Sequence, residues 1–315
     1  MKDPAKPGDL LYTVDPHWKG LRLDHFLKAM LPAMSRSKIQ RLAKSHRIFV
    51  NDEPRRSNWK VQVDDRVRLV VDDPTDDPEA GQSIPIDLIY EDEDLLVINK
   101  AAGLQAHPVA GHRFDTLLNA IYWRWKDDIH DSESISLANR LDKDTSGVIV
   151  AAKHKAARQK LQRQFESRTP TKSYLAIAAG HIEHDQGLIE FALAGNPIPR
   201  ARDKIIVSPD GKPSSTSYEV KRRGCCTVGE APSLDWTYLA LFPETGRQHQ
   251  LRVHLAAIGH ALLGDDRYGP ELLQASAPHR CALHAHRLTL QHPGRGDNVT
   301  FEAPLAADLT RYLET

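Results

Sequence analysis

The octapeptide Arg-Leu-Asp-Lys-Asp-Thr-Ser-Gly at residues 140–147 concentrates groups that could carry out chemistry. Asp142 follows an arginine by two residues and precedes two hydroxyl side chains, those of Thr145 and Ser146. An apolar run begins at Val148, so we predict a polar loop that leads directly into a buried strand. An ordinary Asx turn before a core strand would give part of this pattern. Because catalytic groups are commonly placed on loops held by rigid elements, Asp142 is our first candidate for a catalytic carboxylate.

A second group of polar residues lies at residues 244–255, Glu-Thr-Gly-Arg-Gln-His-Gln-Leu-Arg-Val-His-Leu. Its Thr-Gly pair predicts a turn, and the apolar residues that follow predict a short helix. Arg252 lies off the apolar face of this helix, and its planar guanidinium can hold a carboxylate. His249 and His254 are five residues apart, unlike the zinc-binding His-Glu-x-x-His pattern, and the His-Ala-His at residues 284–286 is equally weak. We therefore expect no metal site.

The elements that must position these groups are predicted to be mainly strands. Apolar and β-branched runs predict strands at residues 84–90, 95–98, 148–152, 172–178, 215–220 and 236–242, and a polar run predicts a helix at 154–167. Tyr174 falls in one of these strands, where a core or edge position is the ordinary explanation. The same side chain offers a flat face for a base and a polar tip for proton transfer. The pattern favours an α+β domain with a mixed, largely antiparallel sheet.

The first 70 residues predict a smaller unit of two helices followed by strands. Residues 23–31 repeat apolar side chains at helical spacing until Pro32, and Ser35 is a candidate N-cap for the second helix. Residues 47–50 and 66–69 predict two strands around a turn. Cations spread over the side opposite the apolar face of the second helix: Arg36, Lys38, Arg41, Lys44 and Arg47. Such a face is often only a solvated surface, but this density of cations favours binding to a polyanion.

Charge is divided unevenly along a chain whose formal net charge is zero. Residues 17–70 carry 13 Lys and Arg against 5 acids, whereas residues 72–94 carry 10 acids and no Lys or Arg. The 315 residues are 40% hydrophobic and 27% charged, which is typical of a soluble protein of about two domains. Three unpatterned cysteines, a start without an apolar segment and no membrane-length apolar run predict a reduced, cytoplasmic setting and no membrane partner.

These patterns predict four regions along the chain. They are an N-terminal tail at residues 1–16, a small basic αα-β domain at 17–71, an acidic linker at 72–83 and a larger α+β domain at 84–315 that carries Asp142. The linker prediction rests on acidic, Pro- and Gly-bearing sequence without apolar periodicity. Its charge would repel RNA, so only the first domain is expected to supply a cationic binding surface.

The octapeptide resembles the signature of the RluA-type pseudouridine synthases, RNA enzymes whose essential catalytic group is the aspartate after Arg-Leu. Further segments similar to that family are residues 99–108, 244–255, 260–269 and 283–286. The first domain resembles the small RNA-binding domain named after the fourth small-subunit ribosomal protein, which often precedes the catalytic domain in this family. Two positions depart from the family pattern: Ala101 stands where proline is usual, and Asn139 stands where histidine commonly precedes Arg-Leu-Asp. Lys100 in this setting has two explanations, contact with an RNA phosphate or a structural role in its loop.

The resemblance implies a role for each matching residue. Asp142 would act on the ribose, Tyr174 would stack against the target base, and Arg252 would pair with Asp142. A stacked uridine must be flipped out of its helix before it can react. Arg140 would help to fill the vacated stack, and Thr145 is expected to contact the RNA, as are the cations of the second helix.

The implied reaction breaks the C–N glycosidic bond of a uridine and rejoins the freed uracil through carbon 5. One carboxylate can serve, by attacking or deprotonating the ribose. No redox change or energy input occurs, so we expect no cofactor, and the chain has no Walker loop or GxGxxG sequence. The expected partner is structured RNA, with large-subunit ribosomal RNA favoured and transfer RNA as the alternative. The protein is expected to act as a monomer.

Two other classes of function compete with the isomerase. A glycoside hydrolase would use Asp142 and Asp144 as paired acids, but residues so close on one loop do not readily lie ~5–9 Å apart across a sugar. It would also leave the basic first domain unexplained. A non-catalytic RNA-binding protein would leave Asp142, Tyr174 and Arg252 without a purpose. Tritium release from carbon-5-labelled uridine in RNA separates the isomerase from both.

Overall fold

The computed structural model describes residues 9–32, 34, 36–70, 82–109, 114–125, 135–198, 204–226, 234–270 and 278–314. The chain divides into two units, residues 1–80 and 81–315. Residues 72–81 of the expected acidic linker lie outside the described part of the chain. Among the described helices, none is both long and apolar enough to cross a membrane.

A four-stranded antiparallel sheet and two helices form the first unit. Its elements are β1 Leu10–Thr13, a 3-10 turn Pro16–Trp18, α1 Leu23–Met30, α2 Arg36–Lys44, β2 Ile48–Val50, β3 Glu53–Pro54 and β4 Arg66–Leu69. The strands lie in the order β1-β4-β2-β3. The expected N-terminal tail needs correction, because β1 lies within it and pairs with β4. Alternate residues Leu10 and Tyr12 pack against the core of the unit, which explains why this segment is a strand.

The two predicted helices of the first unit are confirmed, and their apolar faces form its core. α1 buries Leu23, Phe26 and Leu27 and ends before Pro32, as the sequence predicted. β2 and β3 are joined at Asn51 and Asp52, which have φ values of 54° and 65°. Two successive residues with positive φ are typical of a tight hairpin turn, and Asn and Asp tolerate that backbone conformation.

An eleven-stranded sheet with helices packed against it forms the second unit. Its elements are β5 Asp87–Glu91, β6 Leu95–Lys100, α3 Leu117–Trp125, β7 Ser136–Leu137, β8 Ser146–Ala152, α4 Lys155–Ser167, β9 Thr171–Ala179, β10 Gln186–Gly195, β11 Ile205–Val207, β12 Lys212–Cys226, β13 Leu234–Pro243, α5 Gln250–Ala257, β14 Leu283–Gln291, β15 Asn298–Glu302 and α6 Ala307–Leu313. The main path is β11-β10-β12-β13-β9-β14-β8-β6-β5, with β15 beside β14 and β7 beside β8. Within the described strands, only β8 and β14 pair in parallel, which confirms the predicted mixed, largely antiparallel sheet.

Strands β6 and β8 lie next to the edge strand β5 in the main path and are buried on both faces. Ile98 and Ile149 pack with α3 on one face, while Val97 and Val148 pack with α4 on the other. Coverage of both faces explains why these strands have continuous apolar runs instead of alternating ones. The sequence did not predict α3, whose residues are apolar around most of the helix, so no amphipathic period marks it.

Candidate active site

Asp142 lies between β7 and β8, on a segment that we call the Asp142 loop (residues 140–147). The Thr145 N–H donates to the Asp142 carbonyl at 3.2 Å and closes the predicted turn. Gly147, with φ 112°, passes so close to β14 that a Cβ there would lie 2.1 Å from the Ala285 carbonyl oxygen. The Asp142 side chain is 33% exposed, and no described residue donates a hydrogen bond to its carboxylate. The loop that enters β8 therefore presents a carboxylate that is accessible to a substrate.

The buried Lys100 fixes the Asp142 loop. Its ammonium donates to three carbonyl oxygens, those of Ala101 at 2.8 Å, Leu104 at 2.9 Å and Lys143 at 2.9 Å. Lys100 is 1% exposed. Burial lowers the pKa of Lys100 to about 7, although the nearby Asp144 charge opposes this shift. The contacts use all three ammonium protons to join the loop after β6 to the Asp142 loop, so the structural explanation of Lys100 is the one that the geometry favours.

Arg252, on α5 and 5% exposed, faces three carboxylates, those of Asp142, Asp265 and Asp266, the last at 3.4 Å from its Nη2. Its Nε and Nη2 donate to Asp265 at 2.7 and 2.6 Å, in a bidentate pair that is buried on both sides. Its Nη1 lies 3.7 Å from Asp142 Oδ2. Burial alone would raise the pKa of Asp265, but the hydrogen bonds and charge of Arg252 bring it below its ordinary value. Arg252 thus approaches Asp142 through a single ion-pair contact, whereas its bidentate pair is formed with Asp265.

His249, the residue immediately before α5, also faces Asp142. Its Nε2 is 3.8 Å from Asp142 Oδ2, and its backbone is left-handed with φ 52°. Its Nδ1 is 2.7 Å from the Tyr268 hydroxyl, and that hydroxyl accepts the Ile205 N–H at 2.9 Å. Burial lowers the pKa of His249, the Asp142 charge opposes this shift and the Arg252 charge adds to it. A neutral imidazole therefore lies beside the candidate carboxylate.

Tyr174 lies on β9, opposite Leu241 of β13 and Ala285 of β14. It is half-buried and packs against two of the core clusters of the second unit. Burial raises the pKa of Tyr174, and the Asp142 charge raises it further. The phenol therefore keeps its proton at neutral pH. Ala285, which lies opposite Tyr174, also pairs with Gly147, so Tyr174 and the Asp142 loop flank the same residue of β14.

The remaining predicted residues of the Asp142 loop differ in exposure. Arg140 is exposed and available to a ligand. Thr145 is only 3% exposed, because it lies in the buried turn that enters β8, and its contact with RNA stays a prediction. Asn139, which departs from the family pattern, binds the backbone of β8 with its side chain. Its Oδ1 accepts the Val150 N–H at 2.8 Å and its Nδ2 donates to the Val148 carbonyl at 3.2 Å. The departure thus keeps the loop aligned with the strand.

The basic helix α2 belongs to the first unit. Arg36 and Lys44 are exposed and Arg47 is partly exposed. Arg36 Nε donates to the buried Asp24 at 3.0 Å, and Gln40 donates to the same carboxylate at 2.8 Å. The side chains of Lys38 and Arg41 and the expected N-cap Ser35 lie outside the described residues. Arg36 is therefore partly engaged within its own unit.

One cluster in the second unit has the composition of a metal site. Ligand atoms of Asp92, Asp94 and His292 lie within 4.8 Å of one another. However, His292 Nδ1 accepts the N–H groups of Gly294 and Arg295, which places the imidazole proton on Nε2. That proton is donated to Asp92 at 2.7 Å, and Arg295 Nη1 donates to the same oxygen at 3.2 Å. Protein donors therefore already satisfy the cluster as a structural network.

The structure brings the three predicted catalytic residues, Asp142, Tyr174 and Arg252, into one site. Sequence reasoning missed the groups that hold them, above all Asp265 and Tyr268. A signal was present, because a polar Asp-Asp-Arg-Tyr sequence follows the apolar Ala-Leu-Leu-Gly at residues 261–264. Nothing in that local pattern identifies Arg252 as the partner, since the two side chains meet only through the fold.

Comparison with known protein families gives two matches. Residues 94–257 match a family described as RNA pseudouridylate synthase, and residues 21–67 match the S4 domain. The first match contains the Asp142 loop, Tyr174, His249 and Arg252. The second contains α1, α2, β2 and β3. The two matched segments lie in different units of the structure.

Relatives are similar over nearly the whole chain. A protein of Bacillus subtilis (strain 168), named an uncharacterized RNA pseudouridine synthase, is 34% identical over 96% of each chain. Ribosomal large subunit pseudouridine synthase D of Nitrosomonas europaea is 35% identical over 96% of this chain and 86% of its own. The protein of that name from Escherichia coli O6:H1 is 34% identical over 98% and 95%. Among solved structures, human RNA Pseudouridylate Synthase Domain Containing 1 matches with TM-score 0.59 and 27% identity, covering 74% of this chain and 95% of that one.

Proposed function

Because this chain belongs to the RluA-type RNA pseudouridine synthase family and carries an S4 domain, we propose that it converts specific uridines of large-subunit ribosomal RNA to pseudouridine, with Asp142 as the essential group. The ribosomal substrate is supported by relatives named ribosomal large subunit pseudouridine synthase D that align over most of the chain. The observation that carries the role of Asp142 is geometric. It is a partly exposed carboxylate to which no described residue donates a hydrogen bond, faced at 3.7 Å by an arginine that forms a bidentate pair with a buried aspartate.

The reaction requires one bond to break and one to form at the same ribose carbon. Asp142 attacks C1′ or removes the proton from C2′, and the C1′–N1 bond breaks to release uracil within the site. The uracil turns, C5 bonds to C1′, and the proton of C5 is finally lost while N1 gains one. Atoms and charge balance without an oxidant or cofactor. The ribose intermediate must therefore persist until C5 bonds to C1′. Water would hydrolyse it, so the reaction requires a site that restricts solvent.

The other residues of the site are proposed to position the substrate. Tyr174 remains a neutral phenol, so it can stack against the uracil and hold a proton near the reacting base. Arg252 fixes the Asp142 carboxylate. Arg140 is exposed on the same loop and can occupy the space that the flipped nucleotide leaves. The cations of α2 bind phosphates and add affinity without base recognition. We propose that the protein acts as a monomer in the cytoplasm.

The experiment that tests this function compares Asp142→Asn with Asp144→Asn on RNA that contains uridine labelled with tritium at carbon 5. Loss of the C5 hydrogen accompanies pseudouridine formation but not glycoside hydrolysis or simple binding. We expect the Asp142 variant to release no tritium above background while it still binds RNA, and the Asp144 variant to retain substantial activity. Turnover by Asp142→Asn at more than a few per cent of the wild-type rate would refute the role of Asp142.

A second measurement tests the substrate. Carbodiimide primer extension on RNA from a strain that lacks this protein should show missing pseudouridines in large-subunit ribosomal RNA. Restoration by the wild-type chain but not by Asp142→Asn links the sites to this activity. Missing pseudouridines in transfer RNA alone would reject the ribosomal substrate while retaining the enzyme class.

A further inference from the structure

Arg252 and His249 face the same oxygen of Asp142, and each of them is also bound by a second side chain. Arg252 Nη1 and His249 Nε2 lie 3.7 and 3.8 Å from Asp142 Oδ2. Asp265 fixes the arginine through its bidentate pair. The corresponding partner of the histidine is Tyr268, whose hydroxyl is 2.7 Å from His249 Nδ1. Both distances to Asp142 are slightly longer than a hydrogen bond, so a small movement on substrate binding would close either contact.

The hydrogen bonds of Tyr268 decide which imidazole nitrogen carries the proton. Its hydroxyl oxygen accepts the Ile205 N–H at 2.9 Å. Burial raises the pKa of Tyr268, so the phenol keeps its own proton and needs an acceptor for it. Among the described residues, His249 Nδ1 is the only side-chain atom within hydrogen-bond distance of that hydroxyl. This geometry lets the Tyr268 O–H donate to an unprotonated Nδ1; in that arrangement a neutral His249 carries its proton on Nε2, on the side of Asp142.

We propose that Tyr268 holds His249 as the neutral tautomer protonated at Nε2, and that this N–H is a second hydrogen-bond donor to Asp142 during the reaction. The proposal makes His249 a positioning residue, and it rests on the proposed function of Asp142. A neutral donor aims the carboxylate without adding a second positive charge beside Arg252. An imidazolium at that place would make Asp142 a weaker base and nucleophile, and it would leave the Tyr268 proton without its acceptor.

The charged and titratable groups around His249 act in opposite directions. Those that face it are Asp142, Asp265, Arg252, Arg267 and Tyr268. Burial is the largest influence and favours the neutral imidazole; the two arginines favour it as well, while the two aspartates favour the charged form. The net shift lowers the pKa of His249 below its ordinary value of about 6.5. The Tyr268 hydrogen bond acts in the same direction because it needs an unprotonated Nδ1.

The first test compares two amides at position 249. Gln places an N–H₂ group near the position of Nε2, whereas Asn places one near Nδ1 and cannot reach Asp142. The backbone at position 249 has a φ of 52°, which Asn tolerates better than Gln does. If only the backbone mattered, the Asn variant would therefore be the more active of the two. In single-turnover assays at saturating RNA, we expect His249→Gln to stay within about 10-fold of the wild-type rate and His249→Asn to fall about 100-fold, the usual effect of losing one preorganised donor. An Asn variant as fast as the Gln variant, or faster, would overturn the proposal.

The second test uses Tyr268→Phe to remove the hydroxyl that is proposed to lock the His249 tautomer. Without the hydroxyl, the pKa of His249 should rise toward its ordinary value, so the ratio of the variant rate to the wild-type rate should fall as the pH is lowered from 8 to 5.5. Taking a ratio cancels ionisations that both proteins share, such as that of Lys100. A ratio that does not change with pH would contradict the proposed lock.

A measurement that needs no activity separates this proposal from the proposed function. Long-range ¹H–¹⁵N spectra of histidine-labelled full-length protein distinguish the two neutral tautomers and the charged ring, and His249→Gln identifies the signal. We expect the wild-type signal to show the Nε2–H tautomer from pH 6 to 8. A charged ring or an Nδ1–H tautomer would overturn the inference even if pseudouridine forms. Conversely, wild-type protein that forms no pseudouridine while His249 keeps the expected tautomer would count against the proposed function only.

Discussion

Removal of the Arg252 guanidinium should reveal the buried ion pair in the stability of the protein. Arg252→Met keeps most of the apolar stem but leaves Asp265 in place, and both side chains are nearly inaccessible, at 6% and 0% exposure. Loss of one partner of a buried, hydrogen-bonded pair leaves an uncompensated charge and costs about 3–5 kcal/mol. The matched control is Arg287→Met, since Arg287 pairs with Glu302 at 2.6 Å but both side chains are about half exposed. An exposed pair contributes about 1 kcal/mol or less, so the control should be nearly neutral.

The pH dependence of this penalty has a definite sign. In the wild type the pKa of Asp265 lies below its unfolded value, so the pair stabilises the protein above about pH 4 and loses that effect as acid protonates the carboxylate. In Arg252→Met, burial without a partner raises the pKa of Asp265, so the folded variant takes up a proton more readily than the unfolded chain. The penalty should therefore be largest near pH 7 and shrink toward pH 5.

The assay is urea unfolding of both variants and the wild type, followed by circular dichroism at pH 7 and pH 5. A difference of less than about 1 kcal/mol between the two methionine variants would show that the Arg252–Asp265 pair does not have the buried character described here. A penalty that stays constant or grows on acidification would contradict the assignment of the cost to an unpaired Asp265.

Further predictions concern the reaction and the division of labour between the units. Arg252→Lys should recover only part of the roughly 100-fold rate loss of Arg252→Met, because a single ammonium cannot form the bidentate pair with Asp265 and also face Asp142. Equal rates for the lysine variant and the wild type in single-turnover assays would count against this. Tyr174→Phe should release or trap uracil without completing the product, and a normal pseudouridine yield by nucleoside analysis would reduce Tyr174 to a packing role. Lys100→Met should increase amide hydrogen exchange in the Asp142 loop and lower turnover at least 10-fold with unchanged RNA affinity, and unchanged exchange there would argue against its anchoring role. Removal of residues 1–80 should weaken RNA binding and reduce the slope of log affinity against log salt by about 0.7–0.9 per lost phosphate contact, while turnover at saturating RNA survives. An unchanged salt slope would show that the α2 cations form only a solvated face.

Much of the fold could be predicted because its signals are local. The helices of the first unit follow from apolar spacing, and β6 and β8 follow from continuous apolar runs. Other elements escaped prediction for physical reasons. β1 lies in a short polar-flanked segment whose strand conformation depends on pairing with β4, and α3 lacks an amphipathic period because it is buried around most of its circumference. The burial of Thr145 was not predicted either, because it depends on how the turn packs at the start of β8.

The sequence by itself determined the candidate reactive groups and the elements that carry them. Asp142 is placed by a polar octapeptide before an apolar strand, and Tyr174 and Arg252 are placed by a strand and a short helix; these are properties of neighbouring residues. The tertiary structure alone decided how the groups act on one another. In the folded protein Arg252 forms its bidentate pair with Asp265 instead of Asp142. The Tyr268 hydroxyl lies at His249 Nδ1, where we propose that it sets the tautomer of that histidine. Such contacts depend on distances of a few ångströms between side chains from separate elements, and sequence spacing does not encode those distances.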